Sequence, residues 1–262
     1  MRNLKLTIEY DGTEYSGWQK QPSLKRKKNT IQQTIEQVLH EILQEEVKLI
    51  GSGRTDAGVH AFAQVANFKT TKKIGLFRLQ QSLNALLPDD IVVKDVQEVD
   101  LDFHARFNAY SRSYTYIINT SSQHMPFCAP WSYWCTHPID WDAVSQAMTF
   151  LIGEHDFASF QANGCQSPHA RRQISDFHLA QSGPFVYLNV TANAFVYRMV
   201  RKMVGALLQV GFKKQSPDWI QSLLKSEMRD LTPPIAARGL HLTHVGYTHG
   251  VVPEWAQYFN DL

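Results

Sequence analysis

Two hydrophobic periods alternate along this chain and constrain its fold more than any other feature. Apolar residues recur at every second position in residues 4–8, which is typical of a half-buried strand. Over residues 31–42 they fall at helical spacing, with Thr30 as the expected N-cap. The same criteria predict helices over 76–87, 141–151 and 195–210, and strands over 47–50, 63–68, 91–99, 112–118, 174–179, 185–190 and 240–247.

The predicted strands favour an α+β fold. Strands 174–179 and 185–190 flank Ser182-Gly183-Pro184, which predicts an antiparallel hairpin. Hairpins mixed with strand–helix units favour α+β over a doubly wound parallel sheet. With 262 residues the chain is long enough for one or two domains. We expect two halves of similar size, residues 1–106 and 107–262.

Composition narrows the class of protein and its expected location. Hydrophobic residues make up 44% and charged residues 19%, which is typical of a globular protein and excludes disordered, collagen-like and low-complexity chains. The net charge of +2 does not by itself indicate a nucleic-acid binder. The three cysteines, the absence of an apolar leader at the N-terminus and the lack of a run of roughly 20 apolar residues predict a cytoplasmic protein without a membrane segment.

Common cofactor motifs are missing from the sequence. It contains no phosphate-binding loop of the Gly-x-x-x-x-Gly-Lys-Ser/Thr type and no Gly-x-Gly-x-x-Gly after a strand. It also lacks the Gly-x-Ser-x-Gly turn of an acyl-transfer serine. Cys165 and His169 alone cannot hold a tetrahedral metal ion. We therefore expect neither a metal site nor a nucleotide cofactor.

A glycine-rich segment over residues 51–60 carries the most suggestive chemistry. Its three glycines indicate backbone that turns sharply or lies close to other atoms. Arg54 and Asp56 lie between them, on a loop that follows a predicted strand. A carboxylate here can serve as a nucleophile or a base, kept ionised by a nearby guanidinium. From composition alone, an ordinary turn-forming residue is the favoured interpretation of Asp56.

The string Gly-Arg-Thr-Asp-Ala-Gly-Val-His over residues 53–60 resembles the signature of the tRNA pseudouridine synthase A family. The segment Ile-Glu-Tyr-Asp-Gly at 8–12, followed by Gly-Trp-Gln at 17–19, resembles the opening of that family. Further segments resemble later blocks of the family and occur in the same order; they are residues 102–107, 112–116, 156–160, 193–196 and 199–201. This ordered set spans nearly the whole chain.

The resemblance implies an enzyme that isomerises uridine to pseudouridine at positions 38, 39 and 40 in the anticodon arm of tRNA. It implies two pseudo-symmetric α+β halves around a mixed, mainly antiparallel sheet with a central active-site cleft. The first half would carry the loop with the catalytic aspartate, and the second would complete the cleft and the tRNA-binding surface. The family works as a homodimer without a cofactor.

The resemblance also assigns roles to four residues. Asp56 is the expected catalytic residue, either attacking the nucleotide or taking a proton from the sugar. Tyr114 would stack on the flipped uridine, although a core aromatic residue of a strand is the alternative. Arg201 would pair with Asp56; otherwise it belongs to a solvated charged face of the long helix together with Arg198 and Lys202. Arg54 is a second candidate for contacting Asp56, or for replacing the flipped base in the stack.

Further basic residues are candidates for contacts with tRNA. One group lies in the run 20–28, which has five basic residues and no acidic one and predicts either a solvated loop or a phosphate-contacting one. The candidates are Lys25, Arg26, Lys27, Lys28, His104, Arg106, Arg171 and Arg172. Two other functions remain open at this point. One is a protein that binds or folds tRNA without catalysis, and the other is a small-molecule hydrolase that uses Asp56.

Overall fold

The structure is a computed structural model that describes residues 1–20, 28–165, 167–226, 228 and 231–248. Within these residues the helices are α1 (Ile31–Leu43), α2 (Leu76–Leu86), α3 (Trp141–Thr149), α4 (Met199–Gly211) and α5 (Trp219–Lys225). The strands are β1 (Arg2–Tyr10), β2 (Ile50–Gly51), β3 (His60–Thr70), β4 (Ile91–Val99), β5 (Ser111–Asn119), β6 (Tyr133–Trp134), β7 (Gly153–Asp156), β8 (Arg171–Ser182), β9 (Phe185–Ala192) and β10 (Leu240–Gly246).

The described residues form two compact units, one of residues 1–109 with 241–248 and the other of residues 110–240. Strand pairing is mixed and mostly antiparallel, which confirms the predicted α+β class. Among the helices of the described residues, none combines the length and apolar character needed to span a bilayer.

The first unit is built on β1, which pairs antiparallel with both β3 and β4. β2 pairs antiparallel with β3, and β10 pairs parallel with β3 where His241 lies opposite His60. The alternating residues Leu4, Leu6 and Ile8 are completely buried, as the period of two predicts. Thr30 caps α1 by accepting a hydrogen bond from the Gln33 amide at 3.2 Å, which confirms the predicted helix start.

The second unit is built on the antiparallel order β5-β9-β8-β7. The predicted hairpin is confirmed: β8 and β9 pair from Ser182 and Phe185 outward. Gly183 at its turn has φ +55°, a value that glycine adopts without strain. α4 is the most buried of the described helices of this unit. Its residues Met203, Val204 and Leu207 are fully inaccessible to solvent.

Two predicted elements lose three or more of their predicted residues in the structure. The strand expected over 47–50 is reduced to β2, Ile50–Gly51. The helix expected over 195–210 begins at Met199, because Arg198 at its N-cap adopts a left-handed conformation with φ +62°. Lys202, which the helical pattern places on a charged face, is fully buried. The short elements β6, β7 and α5 carry too few residues for a clear hydrophobic period and were not predicted.

Candidate active site

The glycine-rich segment of residues 51–60, which we call the Asp56 loop, connects β2 to β3. Its start is fixed against β3 by three hydrogen bonds. The Ser52 amide donates to the Val65 carbonyl at 2.7 Å, and the Ser52 hydroxyl donates to Gln64 Oε1 at 2.7 Å. The side-chain Nε2 of Gln64 donates to the Gly53 carbonyl at 3.0 Å. The loop is therefore attached to a rigid strand before it reaches Asp56.

The peptide just before Asp56 is held from a second direction. The Trp18 amide donates to the Thr55 carbonyl at 3.0 Å. The Tyr10 hydroxyl and the Thr55 hydroxyl are hydrogen-bonded at 2.7 Å, and both side chains are buried. Because Thr55 directly precedes Asp56, these two contacts limit the movement of the Asp56 backbone.

Two glycines let the backbone approach the Asp56 loop this closely. A Cβ atom on Gly17 would lie 2.6 Å from the Thr55 carbonyl oxygen and 3.0 Å from the Ala57 amide, and Gly17 has φ +88°. A Cβ atom on Gly12 would overlap the Val59 carbonyl. We call Tyr10, Gly12, Gly17 and Trp18 the clamp. The sequence signals for the clamp are the Asp-Gly pair at residues 11–12 and the Gly-Trp pair at 17–18, which lie in the segments that resemble the opening of the family.

Asp56 itself is half-buried, and Arg54 is exposed. The Val59 amide donates to the Asp56 carbonyl at 3.2 Å, which closes a turn that includes Gly58 at φ +77°. The Gly12 amide donates to Nδ1 of the buried His60 at 3.2 Å, so the end of the loop is fixed as well. The arrangement presents a carboxylate from a backbone held on both sides, as general-base or nucleophilic chemistry requires.

Tyr114 and Arg201 belong to the second unit. Tyr114 lies on β5, is 8% exposed and contacts the Phe195 ring edge-to-face with centroids 5.2 Å apart. Arg201 lies on α4, where its Nε donates to the Ile235 carbonyl at 2.7 Å. The Ile235 amide in turn donates to the Arg201 carbonyl at 3.2 Å. Both side chains therefore occupy defined positions within their own unit.

Tyr116, two residues after Tyr114, links this strand to Arg201. It is fully buried, and its hydroxyl donates to the Ala236 carbonyl at 2.8 Å. Burial raises the pKa of the Tyr116 phenol far above its ordinary value, while the positive charge of Arg201 acts in the opposite direction. Tyr116 is thus a neutral residue with a structural role, near Arg201 of α4.

The structure places the four main site residues in two pairs. Asp56 and Arg54 lie on the same loop of the first unit, and Tyr114 and Arg201 lie in the second unit. The predicted ion pair between Asp56 and Arg201 stays a prediction. The clamp was not predicted from the sequence, because its contacts join segments about forty residues apart.

The basic candidates for RNA contact have different environments. Lys25, Arg26 and Lys27 lie outside the described residues. Lys28 is exposed and forms an ion pair with Glu14 at 2.9 Å.

On β8, Arg171 is exposed, whereas Arg172 is 8% exposed. The guanidinium of Arg172 donates to Ser167 Oγ at 2.6 Å and lies 3.3 Å from His169 Nδ1. Arg172 therefore holds the loop just before β8. Of the two arginines, the exposed Arg171 is the better candidate for contacting a phosphate. His104 is half-buried and Arg106 exposed in the first unit. Within the described part of the chain, no cluster of three or more His, Cys, Asp or Glu residues could hold a metal ion.

Comparisons with known proteins place these residues in context. The family model described as tRNA pseudouridine synthase matches residues 6–108 and 147–248. The chain is 42% identical over 248 residues to tRNA pseudouridine synthase A of Acetivibrio thermocellus, covering 94% of this chain and 100% of that protein. It is 38% identical over 248 residues to tRNA pseudouridine synthase A of Francisella tularensis subsp. novicida, covering 94% and 95%.

Among solved structures, an archaeal box H/ACA Nop10-Cbf5 complex matches with a TM-score of 0.35 and 13% identity, over 78% of this chain and 43% of that one. Both the Asp56 loop and α4 fall within the residues that the family model matches.

Proposed function

The chain belongs to the tRNA pseudouridine synthase family, and from this premise we propose that it modifies uridines 38, 39 and 40 in the anticodon arm of tRNA, with Asp56 as the catalytic residue. It is an isomerase that converts uridine to pseudouridine in tRNA. The reaction breaks the N1–C1′ glycosidic bond and forms a C5–C1′ bond. The hydrogen at C5 leaves as a proton and N1 gains one, so no oxidant, reductant or group donor is consumed.

The observation that supports Asp56 most strongly is the double attachment of its loop, to β3 on one side and to the clamp on the other. An error of about 1 Å in the position of a reacting group costs on the order of 100-fold in rate, so a catalytic carboxylate needs such a backbone. Asp56 would either attack the nucleotide or take a proton from its sugar. Arg54, two residues away and exposed, is placed to meet the phosphate or base beside it.

Tyr114 and Arg201 are proposed as substrate-binding residues. The edge-to-face contact with Phe195 fixes the Tyr114 ring, and a fixed ring is suited to stacking on a flipped base. The bond from Arg201 Nε to Ile235 fixes the start of its guanidinium, so the terminal nitrogens have a defined direction. We further propose that the protein is a cytoplasmic homodimer. Besides Arg54 near Asp56, the basic candidates for tRNA contact are Lys25, Arg26, Lys27, Lys28, His104, Arg106 and Arg171. Arg172 would support Arg171 by holding the loop before β8.

The experiment uses unmodified tRNAs that carry tritium at uridine C5 and retain only one of uridines 38, 39 and 40. Joining C5 to C1′ must release the tritium, so its release reports the reaction directly. We expect release from each of the three tRNAs. As a control, a tRNA with all three positions replaced by cytidine and tritiated uridines elsewhere should release none.

Two results would contradict the proposal in different ways. Release from the control tRNA would show that the activity acts outside these positions. Tight tRNA binding without any release would show a protein that binds or folds tRNA without catalysis.

A further inference from the structure

Residues 101–109 form a second loop of the first unit that is attached to β3, which we call the Phe107 loop. Its anchor is Ala105, which is completely buried. The Ala105 amide donates to Asn67 Oδ1 at 2.9 Å, and the Tyr247 hydroxyl donates to the Ala105 carbonyl at 2.6 Å. The Tyr247 ring also contacts the Phe103 ring, with centroids 5.0 Å apart. Strand β3 and the segment after β10 therefore fix the middle of this loop.

The tip of the loop is closed by bonds within a five-residue turn. The Asn108 amide donates to the His104 carbonyl at 3.0 Å, and the His104 amide donates to Asn108 Oδ1 at 2.6 Å. The amides of Arg106 and Phe107 both donate toward His104 Nδ1, at 3.2 and 3.3 Å. His104 Nδ1 therefore holds the backbone that carries Phe107.

The side chain that this ordered turn displays is an aromatic ring. Phe107 is 75% exposed. The His104 ring lies 4.3 Å from it between centroids, tilted by 35°, and the Arg106 guanidinium lies 5.6 Å from its centroid. Unpaired bases stack on exposed aromatic rings, and binding to a polynucleotide is strengthened by a neighbouring cation. The surroundings of Phe107 provide both.

We propose that Phe107 is a stacking platform for an unpaired base of the tRNA, with Arg106 contacting the adjacent phosphate. The inference rests on the proposed function, because it takes tRNA as the partner. The residues around Phe107 are polar or cationic, namely His104, Arg106 and Asn108. Such surroundings favour a polyanion over an apolar protein partner.

We take the stacking site to be separate from the site of reaction. Asn67, which anchors the Phe107 loop, lies seven residues along β3 from His60, where the Asp56 loop ends. At roughly 3.3 Å per residue these two attachment points lie on the order of 20 Å apart. The start of the Asp56 loop is attached nearer to Asn67, at Gln64 and Val65. We expect the base on Phe107 to differ from the uridine undergoing isomerisation, because a different loop carries Asp56. Phe107 would contribute to tRNA affinity, and its loss would appear in KM.

The test measures tRNA affinity and steady-state tritium release for Phe107→Ala, Phe107→Leu and Phe107→Trp. The stacking of one base is lost in the first two, so we expect dissociation constants and KM values raised by roughly 5- to 100-fold, the range for one base on one aromatic ring. Phe107→Trp keeps the aromatic face and should bind within about threefold of wild type. Phe77→Ala is the matched control, because Phe77 is a 71% exposed phenylalanine on α2 of the same unit, and we expect no change in affinity.

The outcomes separate this inference from the proposed function. If wild type releases tritium and Phe107→Ala binds tRNA as tightly as wild type does, the stacking site is wrong and the function stands. If Phe107→Leu keeps wild-type affinity, the contact is apolar and the inference is also overturned. A change of oligomeric state in Phe107→Ala with unchanged tRNA affinity would assign the ring to a protein interface. If wild type neither binds tRNA nor releases tritium, both proposals fail.

Discussion

The Asp56 loop and the Phe107 loop are both fixed to β3, yet they present different groups. In the Asp56 loop, hydrogen bonds and close backbone contacts surround a half-buried carboxylate. In the Phe107 loop, a similarly fixed backbone exposes an aromatic ring to solvent. On the roles proposed above, backbone order serves two purposes here. Chemistry needs a charged group held in one position, whereas recognition needs an exposed face on a support that loses little entropy on binding.

The largest expected effect follows from removing the carboxylate. We expect Asp56→Asn to lower the single-turnover rate of tritium release by at least about 1000-fold, because an amide is neither the nucleophile nor the base that the reaction needs. Affinity for tRNA should stay within about threefold of wild type, because most of the contact lies with phosphates. Asp89→Asn, an exposed carboxylate of the same unit, is the control and should react at the wild-type rate.

The next largest effect tests the clamp through its backbone. In Gly17→Ala the new Cβ would press on the Thr55 carbonyl, at a residue with φ +88°. We expect a loss of roughly 1–3 kcal/mol in the free energy of unfolding, and a turnover lowered by on the order of 100-fold. Gly75→Ala is the matched control, because a Cβ there meets nothing within 4 Å. Wild-type turnover in a folded Gly17→Ala protein would show that the clamp does not position Asp56.

A smaller change removes one atom from the clamp. Tyr10→Phe leaves the buried Thr55 hydroxyl without its Tyr10 partner. We expect a loss of about 1–3 kcal/mol in unfolding free energy, and roughly a tenfold lower kcat with an unchanged KM. Tyr15→Phe is the control, since the Tyr15 hydroxyl donates to Asp90 and does not touch the Asp56 loop. Equal kcat values for the two variants would reduce Tyr10 to a purely structural residue.

The smallest effect concerns the charge beside Phe107. Arg106→Gln should weaken tRNA binding several-fold at about 0.1 M salt and reduce the slope of log affinity against log salt by about one, because one phosphate contact is lost. Arg78→Gln, an exposed arginine on α2, should leave the slope unchanged. An unaltered slope in Arg106→Gln would remove the phosphate contact from the Phe107 site.

Sequence patterns predicted the parts of this fold that depend on local periodicity. The bounds of β4, the cap of α1 and the turn at Gly183 all follow from neighbouring residues. The late start of α4 and the burial of Lys202 were not predictable in this way, because both depend on tertiary packing that a helical pattern does not contain.

The candidate site likewise has features that the sequence indicated and features that depend on tertiary contacts. Family motifs indicated Asp56 and Tyr114 as site candidates, and its basic side chain made Arg106 a candidate for tRNA contact. The Tyr10–Thr55 bond joins residues 45 positions apart, so no local pattern predicts it. Phe107 lies in the segment 102–107 that resembles a family block, but its exposure depends on Ala105, which is buried two residues before it. Sequence therefore indicated candidate residues for the chemistry, and the structure added the contacts that hold them and the groups that they expose.

The most direct test of the contrast between the two loops is the single-turnover rate of tritium release, measured against enzyme concentration for Asp56→Asn and Phe107→Ala. At saturating enzyme we expect Phe107→Ala to react at close to the wild-type rate while requiring a higher concentration for half-saturation, and Asp56→Asn to release almost nothing at any concentration. A wild-type maximal rate in Asp56→Asn would contradict the central claim, because the carboxylate held by β3 and the clamp would then have no part in the reaction.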